Sequence, residues 1–287
     1  MGNGICLIGF GEAGYTFARA AGWGAKACAF DIDDARRGAM DSIGVNAASS
    51  AAEAIEGAFL VLSLVTADSA LAAAQTAAPL LKTDALFCDC NSVAPETKRK
   101  AAAAIDGGAG RYVDVAVLAP VEPARTAVPL LVSGPAAAEA AEALTGAGFT
   151  NVRVVGEEIG RASSIKLVRS IMVKGIEALT AEMMIAAHVA GVTEEVLASL
   201  DASERKMTWA ERADYNLDRM MVHGGRRSAE MYEASVMLRD LGISPMMTDG
   251  TVQWQEGLGR LGISAPPSGY DAKITAITET PEFRNEI

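Results

Sequence analysis

Residues 4–22, Gly-Ile-Cys-Leu-Ile-Gly-Phe-Gly-Glu-Ala-Gly-Tyr-Thr-Phe-Ala-Arg-Ala-Ala-Gly, constrain the fold more than any other stretch. The apolar run Ile5 to Ile8 suits a strand buried on both faces. It runs into Gly9-Phe10-Gly11-Glu12-Ala13-Gly14, and an alanine-rich helical pattern follows at once. The three glycines serve different ends. Gly9 allows the tight turn, Gly11 lets a pyrophosphate approach the backbone, and Gly14 lets helix and strand pack closely. The helix N-terminus offers free N–H groups and a partial positive charge, so Phe10, Glu12 and Ala13 would line the phosphates with the glycines. A second strand, Ala25 to Phe30, ends at Asp31, about twenty residues on, where a carboxylate would hold ribose hydroxyls. The order matches a dinucleotide-binding unit. NAD is the expected cofactor and NADP the alternative, because Asp31 would repel a 2′-phosphate while Arg36 and Arg37 stand close behind.

The pattern continues as strands alternating with helices. Helical stretches are expected at Asp33 to Met40, Ser50 to Ile55 with a serine cap, a segment capped by Thr66 or Asp68 and running to about Ala78, Glu96 to Ile105, and Ala136 to Leu144. Strands are expected at Gly44 to Ala47, Phe59 to Ser63, Ala85 to Asp89, Tyr112 to Val117, Leu130 to Ser133 and Asn151 to Val155. This alternation predicts an α/β Rossmann-type, doubly wound parallel sheet over residues 1–160. From Gly160 to about Ala190 there is no proline and, beyond Gly160, only Gly175, which predicts one long helix. Only helical segments follow: Glu194 to Leu200, Glu204 to Met221, Arg226 to Leu241 and Met246 to about Leu261, then a polar, loosely held tail after Pro266. Residues 161–287 are therefore read as an all-α domain for substrate binding and dimerisation.

Composition removes several function classes. The net charge of −11 argues against a nucleic-acid partner. No apolar stretch is long enough to span a bilayer, and a first strand starting near residue 4 leaves no room for a signal peptide. Cys6, Cys28, Cys88 and Cys90 lie in or beside buried strands without zinc-ligand spacing, so they read as reduced core thiols of a cytoplasmic protein, and no metal site is expected. The helical part holds Met207, Trp209, Met220, Met221, Met231, Met237, Met246, Met247 and Trp254, more large apolar residues than a thin helical layer buries. That excess predicts a homodimer with an interface above ~2,000 Å².

Ligands of doubly wound sheets sit at the carboxyl ends of the strands. Those ends are the glycine turn, Asp31, Leu64-Val65-Thr66, Asn91-Ser92 and Leu118-Ala119-Pro120. On the first long helix, Lys166, Ser170 and Lys174 recur every four residues as one polar stripe among Ile165, Leu167, Val168, Ile171, Met172, Ile176 and Leu179. A lysine with a hydroxyl one turn away suits proton transfer.

Together these motifs resemble the β-hydroxyacid dehydrogenase family, which includes 3-hydroxyisobutyrate, tartronate semialdehyde and 6-phosphogluconate dehydrogenases. The family's D-x-S-T-x-x-P turn is matched by Asp89-Cys90-Asn91-Ser92-Val93-Ala94-Pro95. Its G-x-G-x-x-x-K-x-x-x-N helix is matched by Gly160 to Ser170, with Ala162 at the second glycine and Ser170 at the asparagine. The resemblance makes Lys166 the acid/base lysine, sets Ser92 beside the nicotinamide, and gives Leu64 and Val65 to the cofactor-lining loop. The substrate motif D-A-P-V-S-G-G appears as Asp114-Val115-Ala116-Val117-Leu118-Ala119-Pro120, which lacks the serine and both glycines that contact a substrate carboxylate. The segment 219–231 is similar to a poorly characterised branch of the family.

The reading is an NAD(P)-dependent oxidoreductase acting on a carbonyl or alcohol carbon. Lys166 relays the proton, Ser170 with Lys174 or Asn91 orients the oxygen, and Leu118 and Ala119 border the substrate. His223, Arg226 and Arg227 are candidates for holding an anionic substrate. The rivals are an imine-reducing enzyme, whose known members typically lack the lysine, and a non-catalytic dinucleotide-binding protein. A methyltransferase fits the glycine spacing and Asp31 less well.

Overall fold

The computed structural model describes residues 4–281. The chain divides into two compact units, Met1–Ile171 and Met172–Ile287.

The first unit holds strands β1 (Ile5–Ile8), β2 (Ala27–Phe30), β3 (Asn46–Ala47), β4 (Leu60–Ser63), β5 (Leu86–Asp89), β6 (Arg111–Val117), β7 (Leu130–Ser133) and β8 (Val152–Gly156). They form one sheet in the order β3-β2-β1-β4-β5-β6-β7-β8. Its helices are α1 (Glu12–Ala21), α2 (Arg37–Ser42), α3 (Ala51–Ile55), α4 (Ala70–Ala77), α5 (Pro95–Asp106) and α6 (Ala137–Gly146), together with the first turns of α7 (Arg161–Ala190). Side chains alternate across the sheet. Leu7, Leu62, Cys88, Val113 and Val115 pack on one face with Phe17, Trp23, Leu144 and Phe149. Cys6, Ile8, Val61, Phe87 and Tyr112 pack on the other with Ile55, Ala74, Ala101 and Ile105.

The sheet differs from the expected all-parallel arrangement in one place. Pairs from β3 to β6 are parallel, but β6 and β7 are antiparallel. A parallel return needs a crossover element, usually a helix. The 118–129 connection contains only the short 3₁₀ turn Arg125–Ala127, so the chain turns back on itself. The start of α4 also differs from expectation. Thr66 Oγ1 donates to Asp68 and Ser69 instead of capping a helix, and α4 begins after Ser69 without a side-chain cap. The Ser50 cap of α3 is present, with its hydroxyl accepting the Glu53 N–H at 3.2 Å.

The second unit is helical: the remainder of α7, α8 (Thr193–Ser203), α9 (Trp209–Asp240), α10 (Met246–Arg260) and α11 (Tyr270–Glu279). The two helices expected at 204–221 and 226–241 are a single α9, which starts at a Thr208–Glu211 capping box. Gly224 and Gly225 do not break it, because Gly224 is where α10 crosses. A Cβ there would lie 2.8 Å from Gly259 Cα and would collide with the Gln255 carbonyl. Glycine's helix penalty is offset by this close approach. Met221, Leu258 and Ile277 form the small core behind the crossing.

The tail expected to be loose forms α11 instead. Its Lys273 is buried and reaches Asp214 at 2.7 Å and Asp218 at 3.6 Å. Residues 282–287 of that tail lie outside the described residues. From α7, Glu182 accepts the Met247 and Thr248 N–H groups at 2.8 and 2.9 Å, acting as an N-terminal cap for α10. Met221 is a core filler, whereas Trp209, Met237, Met246 and Trp254 are exposed. No helix among the described residues is long and apolar enough to cross a membrane.

Candidate functional site

The glycine turn has the form its sequence requires. Gly9 has φ +94, and a Cβ on it would meet the Leu64 carbonyl oxygen at 2.5 Å. Gly14 lies against the Gly9 carbonyl, where a Cβ would be 2.8 Å away. Gly11 precedes α1, and a Cβ on it would point into open space. Backbone crowds the first and third glycines and leaves the second clear, which is the cradle a pyrophosphate needs. Phe10 is buried, and its N–H donates to Asp31 Oδ2 at 2.6 Å. Asp31 Oδ1 accepts the Asp33 N–H at 2.9 Å. The carboxylate at the end of β2 therefore ties the two turns together. α1 starts at Glu12 with no side-chain cap, so its first backbone N–H groups lie open at this end.

Two cavities of the first unit flank this turn and share Leu64 and Val65 in their walls. One, of about 580 Å³, lies on the Asp31 side among Gly9, Gly11, Phe30, Ile32, Arg36, Thr66, Ser69 and Ala73. The other, of about 440 Å³, lies among Glu12, Ala13, Cys90, Asn91, Ser92, Val117, Ala119, Pro120, Val121 and Lys166. A paired cavity with a phosphate cradle between its halves fits the two ends of a dinucleotide.

Lys166 is half-buried on α7, and its Nζ donates to the Ser92 hydroxyl. Asn91 is nearly sealed. Its Nδ2 donates to Ser63 Oγ at 2.9 Å and to Asp89 Oδ1 at 2.7 Å, so both amide hydrogens are used. Its Oδ1 has no partner among the described residues, so what Asn91 can offer a ligand is an acceptor. Cys90 is a bystander in chemical terms, because burial pushes its thiol up to about 12 and keeps it protonated at neutral pH.

Beneath the cavity floor is a buried ionic cluster. Asp89 and Asp114 are register partners on β5 and β6. Lys98, fully buried on α5, lies 3.1 Å from Asp89 Oδ1 and 3.3 Å from Asp114 Oδ1. Its Nζ also donates to the Asp89 carbonyl at 2.7 Å. Tyr112 donates to Asp89 Oδ2 at 2.7 Å, and burial first, then the Asp89 charge, raises its phenol pKa well above the ordinary value. Asp114 accepts the Ser163 hydroxyl at 2.6 Å and the Ser163 N–H at 3.0 Å, and Ser133 Oγ accepts the Ala162 N–H at 3.0 Å. The first turn of α7 is thus held by the sheet.

A family model described as the NAD binding domain of 6-phosphogluconate dehydrogenase matches residues 4–156, more than half of the chain. The chain belongs to this family. A second model, a domain of unknown function (DUF1932), matches residues 187–258. A conserved hypothetical protein from Sinorhizobium meliloti 1021 is 37% identical, over 99% of this chain and 96% of its own, with a TM-score of 0.60. The conserved protein MTH1747, reported as structurally similar to 3-hydroxyacid dehydrogenases, is 29% identical over 95% of this chain and 98% of its own, with a TM-score of 0.57. An imine reductase from Myxococcus stipitatus in complex with NADP+ shares the fold at 16% identity, over 94% of this chain and 98% of its own, with a TM-score of 0.74. The expected family and fold class are thereby shown, and a nicotinamide dinucleotide is the ligand type of the family's domain.

Within this 6-phosphogluconate dehydrogenase-like unit, the structure gathers Glu12, Ala13, Leu64, Val65, Asn91, Ser92, Ala119 and Lys166 around one cavity. Ser170 lies one turn beyond Lys166 and is outside the cavity wall. Leu118 packs with Ala116, Leu131 and Ala162, so its side chain serves the sheet. Its N–H is used by Pro129 O at 3.0 Å, and its carbonyl accepts from Arg169 at 3.3 Å. Lys174, His223, Arg226 and Arg227 belong to the second unit. There Arg226 pairs with Glu230 one turn on, Arg227 Nε donates to Gln255 at 3.3 Å, and Lys174 and His223 are exposed.

Sequence reasoning did not single out Lys98, Tyr112, Ser133 or Ser163. A signal for Lys98 exists: with Ala101, Ala102 and Ile105 it forms the buried stripe of α5, and a lysine on such a stripe requires buried carboxylates.

Proposed function

We propose that the chain is an NAD(H)-dependent oxidoreductase acting on a carbonyl or alcohol carbon, with Lys166 as its proton relay. The observation that carries this reading is the Lys166–Ser92 contact in the wall of the cavity beside the glycine turn. Gly9 to Gly14 would hold the pyrophosphate, Asp31 the adenine-side ribose, and Leu64, Val65 and Ser92 the nicotinamide end. Bound there, the nicotinamide would supply or accept the hydride. Lys166 would donate a proton to the substrate oxygen during reduction, or remove one during oxidation, with Ser92 fixing its ammonium head. Asn91, in the wall of the same cavity, is the candidate for orienting that oxygen.

The substrate wall supports a narrower statement. A carboxylate needs N–H donors where 118–120 borders the cavity, but the Leu118 N–H is spent on Pro129 and Pro120 has none, which leaves at most the Ala119 N–H. Val117, Ala119 and Val121 complete an apolar wall. A substrate without a carboxylate at this wall fits it better than a small hydroxyacid does. The apolar wall also suits imines, but the lysine favours carbonyl chemistry.

Homodimerisation is part of the same proposal. On the second-unit portion of α7, Ile176, Leu179, Ile185 and Val189 are about half exposed, with Leu197 and Leu200 on α8. A run of exposed aliphatic side chains on consecutive helices supports an interface.

The deciding experiment titrates NADH and NADPH by fluorescence. It then assays wild type against panels of ketones, aldehydes, alcohols and cyclic imines. Turnover of imines with none of carbonyls would replace the carbonyl reading. Cofactor binding without turnover on either panel would make the protein a binding module.

A further inference from the structure

We propose that Lys98 is a positioning residue that sets the Lys166–Ser92 geometry from beneath the sheet. The inference rests on Lys166 being the proton relay.

Both sides of the candidate site hang on one ammonium group. On one side, Lys98 binds the carboxylate and the carbonyl of Asp89. Asp89 in turn accepts the Asn91 N–H at 3.0 Å and its amide at 2.7 Å, which fixes the turn that presents Ser92. On the other side, Lys98 binds Asp114, which holds Ser163 by its N–H and its hydroxyl. Lys166 follows three residues later on the same helix face. The Lys166–Ser92 contact closes the ring.

The charge count explains why a lysine is required. Two carboxylates buried side by side on paired strands need a cation between them, because an unpaired buried charge is costly. The ammonium donates to the Asp89 carbonyl and lies within 3.3 Å of both carboxylates, so the group is held at one position rather than being a loose counter-ion. Such a buried triad could have been replaced as a whole by apolar residues at little stability cost. Its retention directly under the turn and the helix start makes sense as a means of fixing the spacing between those two elements. Lys98 touches neither cavity wall, so its effect reaches the site only through Asp89 and Asp114.

The test separates spacing from charge and from stability. The double variant Lys98→Met/Asp114→Asn keeps the net charge of the cluster at one negative and removes the bridge. Ser163→Ala leaves the ionic cluster intact and cuts only the hydroxyl link to α7. Lys166 reactivity is read as the pH profile of acetic anhydride labelling, by peptide mass spectrometry, with exposed Lys100 as the internal reference. Both variants are expected to bind NADH like wild type and to change the Lys166/Lys100 labelling ratio at pH 8 by about threefold or more, with a displaced midpoint. On any substrate that wild type turns over, kcat should fall with little change in KM. If the double variant does not fold, Lys98→Arg, which keeps the charge and changes the length of the bridge, carries the decision. An unchanged Lys166 profile in a folded Lys98 variant overturns the role of Lys98, whatever happens to melting temperature. Failure of wild type to bind NADH instead removes the dehydrogenase reading, and labelling still reports on the ring.

Discussion

The Asp31 carboxylate accepts the Phe10 N–H at 2.6 Å, so the residue at the end of β2 also braces the glycine turn. On the proposed reading, it places a negative charge beside a 2′-phosphate, and Arg36, a cation in the wall of that cavity, is paired with Asp33 at 3.4 Å. NADH should therefore bind more tightly than NADPH. Asp31→Asn should weaken NADH by about tenfold, the value of one good hydrogen bond to a charged group, and narrow the preference. Isothermal titration of both cofactors against both proteins checks this, and tighter NADPH binding by wild type would contradict it.

Lys166→Ala should leave NADH affinity within a factor of about two and lower turnover by roughly 10²–10⁴-fold, the range for general acid–base groups. Lys166→Arg should not recover it, since guanidinium holds its proton at any working pH. Near-normal turnover in the alanine variant would reduce the lysine to a charge on a helix.

Cys90 offers a pH test that needs no substrate. Its thiol is raised by burial from 9.0 to about 12, so at pH 8 the folded protein should alkylate it about a thousandfold more slowly than the unfolded chain does. Below the unfolded value the thiol is neutral in both states and its contribution to stability is constant. As pH rises from about 9 towards 12, only the unfolded chain ionises, and stability is lost. Tyr112, raised in the same direction, adds to that alkaline loss. Iodoacetamide labelling with and without urea, followed by melting curves from pH 8 to 11, measures both effects. Rapid labelling of native Cys90 at pH 8 would disprove them.

Gly224 and its neighbour should respond in opposite ways. Gly224→Ala places a methyl group against α10, and overpacking of this kind costs about 1–3 kcal/mol. Nothing lies within 4 Å of a Cβ on Gly225, so Gly225→Ala should be neutral or gain about 0.5–1 kcal/mol from helix propensity. Urea melts of the pair provide the comparison. Equal effects would mean that the helix crossing is not close.

The aliphatic exposure on α7 and α8 predicts a dimer mass by light scattering at micromolar concentration. Ile176→Glu with Leu179→Glu should shift it to the monomer mass, because charge is poorly tolerated in the core of an interface. A monomeric wild type would remove the dimer from the proposal.

Much of the first unit was legible because its signals are local. β1 and β7 follow uninterrupted apolar runs, and Ser50 caps α3 as its position indicates. The direction of β7 was not legible, since it depends on whether 118–129 forms a crossover helix. The Gly224-Gly225 pair reads as a helix break until α10 is known to cross there. In the candidate site, Lys166 was proposed from the polar stripe of its helix and Ser92 from the family turn that it resembles. The partners of Lys98 were not, because Asp89 and Asp114 become neighbours only through the pairing of β5 with β6. Ser170 shares the stripe of Lys166, but one helical turn carries it past the cavity.

The reversal between β6 and β7 has a consequence for how such a protein could change its chemistry. Segment 118–129 leaves and re-enters the sheet at adjacent points, with Val117 facing Leu130 and Leu118 N–H bonded to Pro129 O. A loop closed at its own base can be lengthened, shortened or exchanged without altering the register of any strand, and longer loops cost little extra in closure entropy. The tip of the proposed substrate border can therefore vary, while its base stays anchored to the sheet and, through Leu118, to Ala162 and Arg169 of α7. A lineage could trade carboxylate recognition for an apolar rim here while leaving cofactor chemistry intact.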